Sequence, residues 1–448
     1  MTADNHDNKN KIQFTAQAGG HLTGSIRVPG DKSISHRSIM FGALAEGTTK
    51  VSGFLNGEDN LATLNAFRSM GVDISEPKNG QLEIKGVGMH GLKAPAADID
   101  LGNSGTSIRL LSGLLSGAIA DKDFNVVLTG DRSLSTRPMK RVTDPLELMG
   151  AKVETNDAGT PPLKIHSGQT LKGIDYDMPM ASAQVKSCLL LAGLYANGKT
   201  CVTEPAPTRD HTERMLRGFG YAVESNNGKI CLQGGGKLSA TDIEIPADIS
   251  SATFFMVGAT IADGSDITLE HVGINPTRIG VINILRLMGA SIEILNQRDM
   301  GGEPVADIRV KSAKLKGIQI PEDQVPLAID EFPAIFIAAS CAEGETVLTG
   351  AEELRVKESD RIQVMADGLV ALGVDAVATT DGIRIQGGVN TIGSGHVESH
   401  GDHRIAMSFA MAALVAKGSI TIGDCANVST SFPSFLALAN QAGLSISQ

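Results

Sequence analysis

Apolar and polar positions along this chain fall into two recurring rhythms. In the first, a helix-like segment ends at a glycine and passes into a short β-prone run. It reads AFRSMGVDIS from Ala66, LELMGAKVE from Leu146, LRGFGYAVE from Leu216, LRLMGASIEI from Leu285, LVALGVDAV from Leu369 and LANQAGLSI from Leu438. The glycines are Gly71, Gly150, Gly220, Gly289, Gly373 and Gly443, separated by 79, 70, 69, 84 and 70 positions. Each occupies the place just past a helix end, where positive φ is needed and only glycine adopts it cheaply. The second rhythm lies upstream in each unit: an Ala-rich helix, a Gly or polar turn, then a strand. It reads ALAEGTTKVSG, SGAIADKDFNVVLTG, LYANGKTCVTE, TIADGSDITLE, SCAEGETVLTG and LVAKGSITIG, beginning at Ala43, Ser116, Leu194, Thr260, Ser340 and Leu414. After most helix-ending glycines come two alternating runs across a polar turn, such as VDISEPKNGQLEIKG, which is the signature of a hairpin.

Together these rhythms predict a βαβαββ unit of about 75 residues repeated six times. The last copy stops short at Gln448, so completing it calls for a strand from near the beginning of the chain, IQFTAQ or GSIRV. The economical arrangement is two halves of three units. One is discontinuous, residues 1–30 with 245–448, and the other is residues 31–244. The chain would cross near VPGDKS and again near EIPADISS, with the active site in the cleft between the halves.

A length of 448 residues agrees with more than one domain. Fifty acidic against 39 basic side chains give a net charge of −11, which argues against a general nucleic-acid or anionic-membrane binder while allowing a local basic pocket. Trp is absent and Tyr occurs three times, so aromatic stacking platforms are not expected. Cys188, Cys201, Cys231, Cys341 and Cys425 are scattered and odd in number, which disfavours a disulfide framework or zinc ribbon and fits a reducing compartment. No apolar segment follows the polar opening MTADNHDNKNK, and no run of 18 uncharged apolar residues occurs. A cytoplasmic protein with no membrane partner is the expectation.

Turns between repeats should be bland, yet seven combine Arg or Lys with Gly, Ser and Thr: PGDKSISHR, GNSGTSIR, TGDRSLSTRP, ASAQVKS, TRDH, RVKESDR and GDHR. Several precede apolar helical runs, which puts backbone N–H groups and a helix N-terminus beside fixed cations, an anion site. One such turn alone reads as a capped helix with a solvated Arg. Seven in equivalent positions of an acidic chain point to a multiply anionic small molecule. GVGMHG matches a dinucleotide fingerprint, but LKAPA follows and no helix opens to hold a pyrophosphate. PGDKS lacks the order of a Walker A loop. His396, His400 and His403 have no evident partners for a metal, and Cys188 in an apolar helix belongs to the core. The acid–base candidates are few. Asp330 and Glu331 stand at the mouth of the apolar run FPAIFIAAS, where desolvation would raise a carboxylate pKa, and either could also cap that helix with Pro333 in its first turn. Glu358 lies among cations and could serve only to hold Lys357 or Arg361.

PGDKSISHR, GNSGTSIR, the SAQ segment, RVKESDR and GDHRIAM, in this order from about Gly24 to Phe435, closely resemble the 5-enolpyruvylshikimate-3-phosphate (EPSP) synthase family. The resemblance implies a two-domain inside-out α/β barrel with three βαβαββ units in each domain. It implies transfer of the enolpyruvyl group of phosphoenolpyruvate to the 5-hydroxyl of shikimate 3-phosphate, with release of phosphate, on the route to chorismate and the aromatic amino acids. No metal or organic cofactor is implied, and a monomer is expected. By motif, Lys32 would touch both ligands and act in catalysis, with Ser33 and Arg37 on shikimate 3-phosphate. Ser182, Ala183 and Gln184 would receive the 3-phosphate and ring, Gln184 also reaching phosphoenolpyruvate, and Arg209 would stand at a variable phosphate-binding position. Asn103, Gly105, Arg137, Arg361, His403 and Arg404 would complete the phosphoenolpyruvate site. Asp330 would take the 5-hydroxyl proton with Lys357 nearby, and Glu358 would transfer the proton at the methylene carbon. Closure of the two halves on shikimate 3-phosphate is expected, to exclude water.

The chain also departs from the family pattern. VSTSFP carries Thr430 where many relatives have Lys, and Glu353 stands where some have a substrate-binding Asn. With ASAQVKS, TRDHTE and RVKESDR, these differences resemble the second, more glyphosate-tolerant bacterial class, although members of that class often have Ala in place of Gly105. In the family glyphosate occupies the phosphoenolpyruvate site. Two other readings are open: a UDP-N-acetylglucosamine enolpyruvyl transferase, against which Lys32-Ser33 and TGDRSLSTR argue, and a non-catalytic anion binder on the same scaffold.

Overall fold

In a computed structural model, which describes residues 12–388 and 392–448, the six helix-ending glycines all have positive φ, between 82° and 121°. Each ends an outer helix: Glu58–Ser69, Lys140–Leu148, His211–Gly218, Gly280–Leu287, Arg361–Ala371 and Phe435–Ala442. The opening segment, residues 1–11, lies outside the described residues.

The chain divides into two compact units. One comprises Gly30–Pro246 together with Asp299–Glu303, and the other the residues up to Pro29, Ala247–Arg298 and Pro304–Gln448. The excursion Asp299–Glu303 has no signal in the repeat pattern. Arg214 Nη1 donates to Gly302 O at 2.6 Å, and Glu303 meets His211 Nδ1 at 2.9 Å.

Gly30–Pro246 carries three four-stranded sheets. In the first, Ile243–Glu244 runs parallel to Thr48–Ser52, which pairs antiparallel with Leu82–Lys85, and Asp73–Ile74 lies beyond. The sheets built on Val126–Thr129 and Lys199–Thr203 repeat that order. The other unit has two four-stranded sheets and one of three strands, whose first-strand slot is marked only by the isolated parallel bridges at Lys316 and Gln319. Its last sheet shows how the sixth repeat is completed. The strand Phe14–Ala16 inserts between Ile420–Gly423 and Ile446–Ser447, with Phe14 opposite Ile422 and Thr15 opposite Ser447. IQFTAQ therefore fills the sixth copy. GSIRV supplies Thr23–Ile26, the parallel first strand of the fourth.

Six further helices are buried on nearly every face and form the interiors: Lys32–Leu44, Gly105–Ala118 and Ala183–Gly193 in one unit, and Ile249–Ile261, Phe332–Cys341 and His403–Ala412 in the other. In Lys32–Leu44 every residue from Ile34 onward is buried. An all-round apolar helix is stable only inside a core, where each fully buried Leu, Ile or Phe contributes about 1.5–3 kcal/mol. Glycine sets the closest approach. A Cβ on Gly113 would lie 2.1 Å from Cys188 O, so Gly105–Ala118 and Ala183–Gly193 meet backbone to backbone there. The arrangement within each unit, helices inside and small sheets outside, is the inside-out α/β organisation.

Three local readings need comment. Cys201 and Cys231 form a disulfide, contrary to the expectation from cysteine spacing. They sit directly opposite each other on Lys199–Thr203 and Lys229–Gln233, strands separated by a helix and a further strand, so sequence spacing does not reveal the pair. Cys188 is buried and its thiol is pushed up to about 12 by burial, as befits a core residue. Glu331 occupies the N-cap position of Phe332–Cys341, but neither it nor Asp330 caps with its side chain. Glu331 accepts instead from Ser250 Oγ, with Arg278 Nη2 at 3.7 Å, so the buried cation and hydroxyl outcompete the helix end.

Candidate active site

Four of the six interior helices begin at the motifs, and side chains within those motifs cap them. Asp31 accepts from Ile34 N at 2.8 Å, Ser104 from Ser107 N at 3.1 Å, Ser182 from Val185 N at 3.4 Å, and Asp402 from Arg404 N at 2.9 Å. Capping engages one lone pair on each of Ser104 and Ser182 and leaves the first-turn N–H groups aligned with the helix dipole.

In the unit built on Gly30–Pro246, Lys32 pairs with Asp59, and its carbonyl accepts from Asn60 Nδ2 at 3.0 Å. Arg37 is buried, and its guanidinium rests on neutral oxygens: Thr212 Oγ1 at 2.7 Å, Ser187 Oγ at 2.7 Å and Ser33 O at 3.0 Å. Among the described residues no carboxylate pairs with it. Burial pulls its pKa down to about 10, with nearby Arg209 adding to the fall. Arg209 lies in the segment leading to His211–Gly218 and is partly exposed. Arg137 Nη2 donates to Asn103 Oδ1 at 2.9 Å, and Asn103 Nδ2 donates to Asp131 at 2.8 Å. Gln184 bridges Arg109 Nη1 at 2.6 Å and Thr106 Oγ1 at 3.1 Å. Gly105 opens its helix against this group, and a Cβ there would lie 2.7 Å from Arg137 Nη1 and 3.4 Å from Arg109 Nη1. A helix N-terminus without a side chain, facing two guanidinium groups, is built for a small anion.

Beneath these residues runs a chain of buried hydroxyls. His36 Nδ1 meets Thr63 Oγ1 at 2.8 Å, Thr63 meets Ser107 Oγ at 2.7 Å, and Ser107 meets the capping Ser104 at 2.6 Å. Burial, helped by Lys32 and Arg37, pushes the His36 pKa well below its ordinary value, so the imidazole stays neutral. It ties together the helices that carry Lys32 and Gly105.

The other unit gathers its charges around Arg361, which is 1% exposed. Its Nε donates to Asp402 at 2.8 Å, Nη2 to Glu358 at 2.6 Å and Nη1 to Asp330 at 3.1 Å. Burial opposes the charge, but Asp402, Glu358 and Asp330 outweigh it and hold the guanidinium pKa above its usual value. Lys357 Nζ stands 3.6 Å from Asp330 and 3.6 Å from Glu353. Arg404 Nη1 donates to Asp330 O at 3.1 Å and lies 3.8 Å from Glu331. His403 is buried at the start of its helix. Asp330 thus faces cations rather than the apolar run. Glu358 holds Arg361. Thr430 turns its hydroxyl to Asn427 O at 2.7 Å.

The candidate residues therefore form two groups. Lys32, Ser33, Arg37, Asn103, Gly105, Arg137, Ser182, Ala183, Gln184 and Arg209 belong to one unit, and Asp330, Lys357, Glu358, Arg361, His403 and Arg404 to the other. Sequence reasoning missed several of their partners. Arg109, Thr212 and Asp402 stood inside the motifs as unassigned polar residues, whereas Asp59 carries no local signal.

A profile of the family described as EPSP synthase (3-phosphoshikimate 1-carboxyvinyltransferase) matches residues 16–438. A protein of Methylococcus capsulatus named 3-phosphoshikimate 1-carboxyvinyltransferase is 68% identical over 97% of this chain and 98% of its own. Another of that name, from Nitrosococcus oceani, is 67% identical over 97% of each. The solved structure of EPSP synthase from Acinetobacter baumannii superposes with a TM-score of 0.87 at 62% identity, covering 97% of this chain and 100% of its own. The enolpyruvyl transferase NikO from Streptomyces tendae shares the fold, with a TM-score of 0.78 at 15% identity over 98% of both chains. Identity at this level over nearly the whole length places the chain in the EPSP synthase family.

Proposed function

We propose how this chain performs its family's reaction, transfer of the enolpyruvyl group of phosphoenolpyruvate to the 5-hydroxyl of shikimate 3-phosphate with release of phosphate. Asp330 takes the 5-hydroxyl proton, with Lys357 beside it to offset the charge of the developing alkoxide. The oxygen adds to C2 of phosphoenolpyruvate while Glu358 protonates the methylene carbon. The tetrahedral intermediate then expels phosphate, which takes the proton held by Asp330, as Glu358 takes a proton back from the new methyl group and the double bond is restored. Both carboxylates thus end in the protonation state in which they began.

Lys32, Asn103, Gly105, Arg137, Gln184, Arg361, His403 and Arg404 bind phosphoenolpyruvate. Ser33, Arg37, Ser182, Ala183, Gln184 and Arg209 bind shikimate 3-phosphate, with Lys32, Asp330 and Lys357 reaching its ring. Fixed cations are most effective where charge develops in a site that need not reorganise. The enzyme works as a monomer in the cytoplasm, on free metabolites. Among the described residues no helix is long and apolar enough to cross a membrane.

The observation that carries this reading is Arg37. A buried guanidinium that rests only on hydroxyls and a carbonyl is incomplete until an anion arrives. Phosphate release is the test. Release that requires both substrates together supports the reading, and none in their joint presence overturns it.

A further inference from the structure

Lys186 lies outside every role assigned above, yet it is among the most completely buried charges in the molecule, at 0% exposure. It belongs to the helix Ala183–Gly193, two positions after Gln184. Its ammonium has three donor protons and three acceptors: Glu213 Oε1 at 2.7 Å, Glu204 Oε1 at 3.0 Å and Thr208 O at 3.4 Å.

These acceptors are not scattered. Glu204 is the first residue after the strand Lys199–Thr203, Glu213 sits in the first turn of the helix His211–Gly218, and Thr208 lies between them. A single side chain therefore pins both ends and the middle of the segment that carries Arg209 and Thr212. Thr208 Oγ1 adds a bond to Glu204, closing the loop on itself. The next residue along the helix, Ser187, accepts from Arg37 Nη2 at 2.7 Å and meets Thr212 Oγ1 at 2.8 Å. Lys186 and Ser187 thus fix the segment and seat Arg37 against it.

Charge points the same way. One lysine against two glutamates leaves an excess negative charge, and Glu213 Oε2 is buried with no hydrogen-bond partner among the described residues. Glu213 is the carboxylate that does most to hold up the charge on Arg37, which among the described residues has no carboxylate in direct contact.

We infer that Lys186 is a positioning residue for the phosphate of shikimate 3-phosphate: by clamping Glu204, Thr208 and Glu213 it sets Arg209 and Thr212 against Arg37 before substrate arrives. This rests on the function proposed above and deepens it. A residue that holds a binding group in place acts through affinity for one substrate, not through the chemical step.

The experiment is steady-state phosphate release by the full chain with each substrate varied in turn, in wild type, Lys186→Met and Lys186→Arg, with thermal melting of each protein. Lys186→Met should raise the KM for shikimate 3-phosphate about tenfold or more, leaving kcat and the phosphoenolpyruvate KM within about threefold, and Lys186→Arg should recover much of the loss. A folded Lys186→Met whose shikimate 3-phosphate KM stays within about twofold of wild type overturns the inference, as does an equal loss for both substrates. If Lys186→Met does not fold, Glu204→Gln, which removes one of the clamped charges and keeps the side chain's shape, is read instead. A selective rise of about threefold or more supports the clamp, and an unchanged constant overturns it. Absence of turnover in wild type would overturn the assigned reaction itself. Wild-type turnover with unaltered constants in the variants would overturn only the role of Lys186.

Discussion

Arg37 and Arg361 are both buried guanidinium groups, one in each unit, and their surroundings are opposite. Arg361 is held by three carboxylates, Asp402, Glu358 and Asp330, and its charge is fully compensated. Arg37 rests on two hydroxyls and a carbonyl. The first arrangement is charge-compensated before any ligand arrives, and it keeps two candidate proton carriers in place. Among the described residues the second has no carboxylate in contact, only the field of Glu213, Asp31 and Glu303, and a bound phosphate would supply a direct partner. Of these two buried charges, one is paired and organises the protein around it, and the other, on the function proposed above, waits for a phosphate.

The sharpest way to break this comparison is to delete each guanidinium and compare stability with binding. Arg361→Ala strands three carboxylates and should lower stability by about 3–5 kcal/mol, read from denaturant melts. An Arg361→Ala protein as stable as wild type would show that the cage is not structural. Asp330→Asn keeps the shape and removes the base, so kcat should fall roughly 100-fold with little change in either KM. Near-normal turnover would leave Asp330 as nothing more than a partner for Arg361 and Lys357.

Arg37→Ala belongs to the other side of the comparison. It should weaken shikimate 3-phosphate by about 2 kcal/mol, roughly 30-fold, with a smaller loss of stability than Arg361→Ala, because only neutral groups lose a direct hydrogen-bond partner. Calorimetry and melting on one sample decide it, and a stability loss as large as that of Arg361→Ala would erase the distinction. Gly105→Ala tests the neighbouring anion site. The new methyl would lie 2.7 Å from Arg137 Nη1, a flexible tip that can yield, so the fold survives while the pocket shrinks. The inhibitory concentration of glyphosate should rise about tenfold, with a smaller rise in the phosphoenolpyruvate KM. Equal changes in the two constants would mean that the methyl acts only by displacing Arg137.

The smallest effect concerns His36. Its folded pKa lies below the value of about 6.5 it has when unfolded. The stability this lends is therefore present above that value and lost as pH falls below it, by about 1.4 kcal/mol per pH unit at most. His36→Gln should melt lower at pH 7.5 but show a shallower decline toward pH 5. An unchanged slope would mean that another group titrates.

How legible all this was in the sequence differs by level. The six glycines and the strand beside each were readable because positive φ after a helix is a local demand, met by one residue type. The need for a returning N-terminal strand followed from counting. The motifs, too, were visible, since cations beside small residues at the start of an apolar helix have a local cause. Pairings across distant segments were not. Nothing near Cys201 announces Cys231, nothing near Arg37 announces Thr212, and the approach of Arg278 and Ser250 to Glu331 overturned a helix cap that local spacing favoured. Lys186 looks like any basic residue in ASAQVKS until its burial is known.

The strand Phe14–Ala16 also says something about the order in which the protein can form. All three sheets of one unit are made from residues between Gly30 and Pro246, so they can assemble while the rest of the chain is still being synthesised. The last sheet of the other unit cannot. Its strand Phe14–Ala16 must wait for Ile420–Gly423 and Ile446–Ser447, which follow it by about 400 positions in the chain. Until then it carries unpaired backbone groups on both edges, open to pairing with another chain.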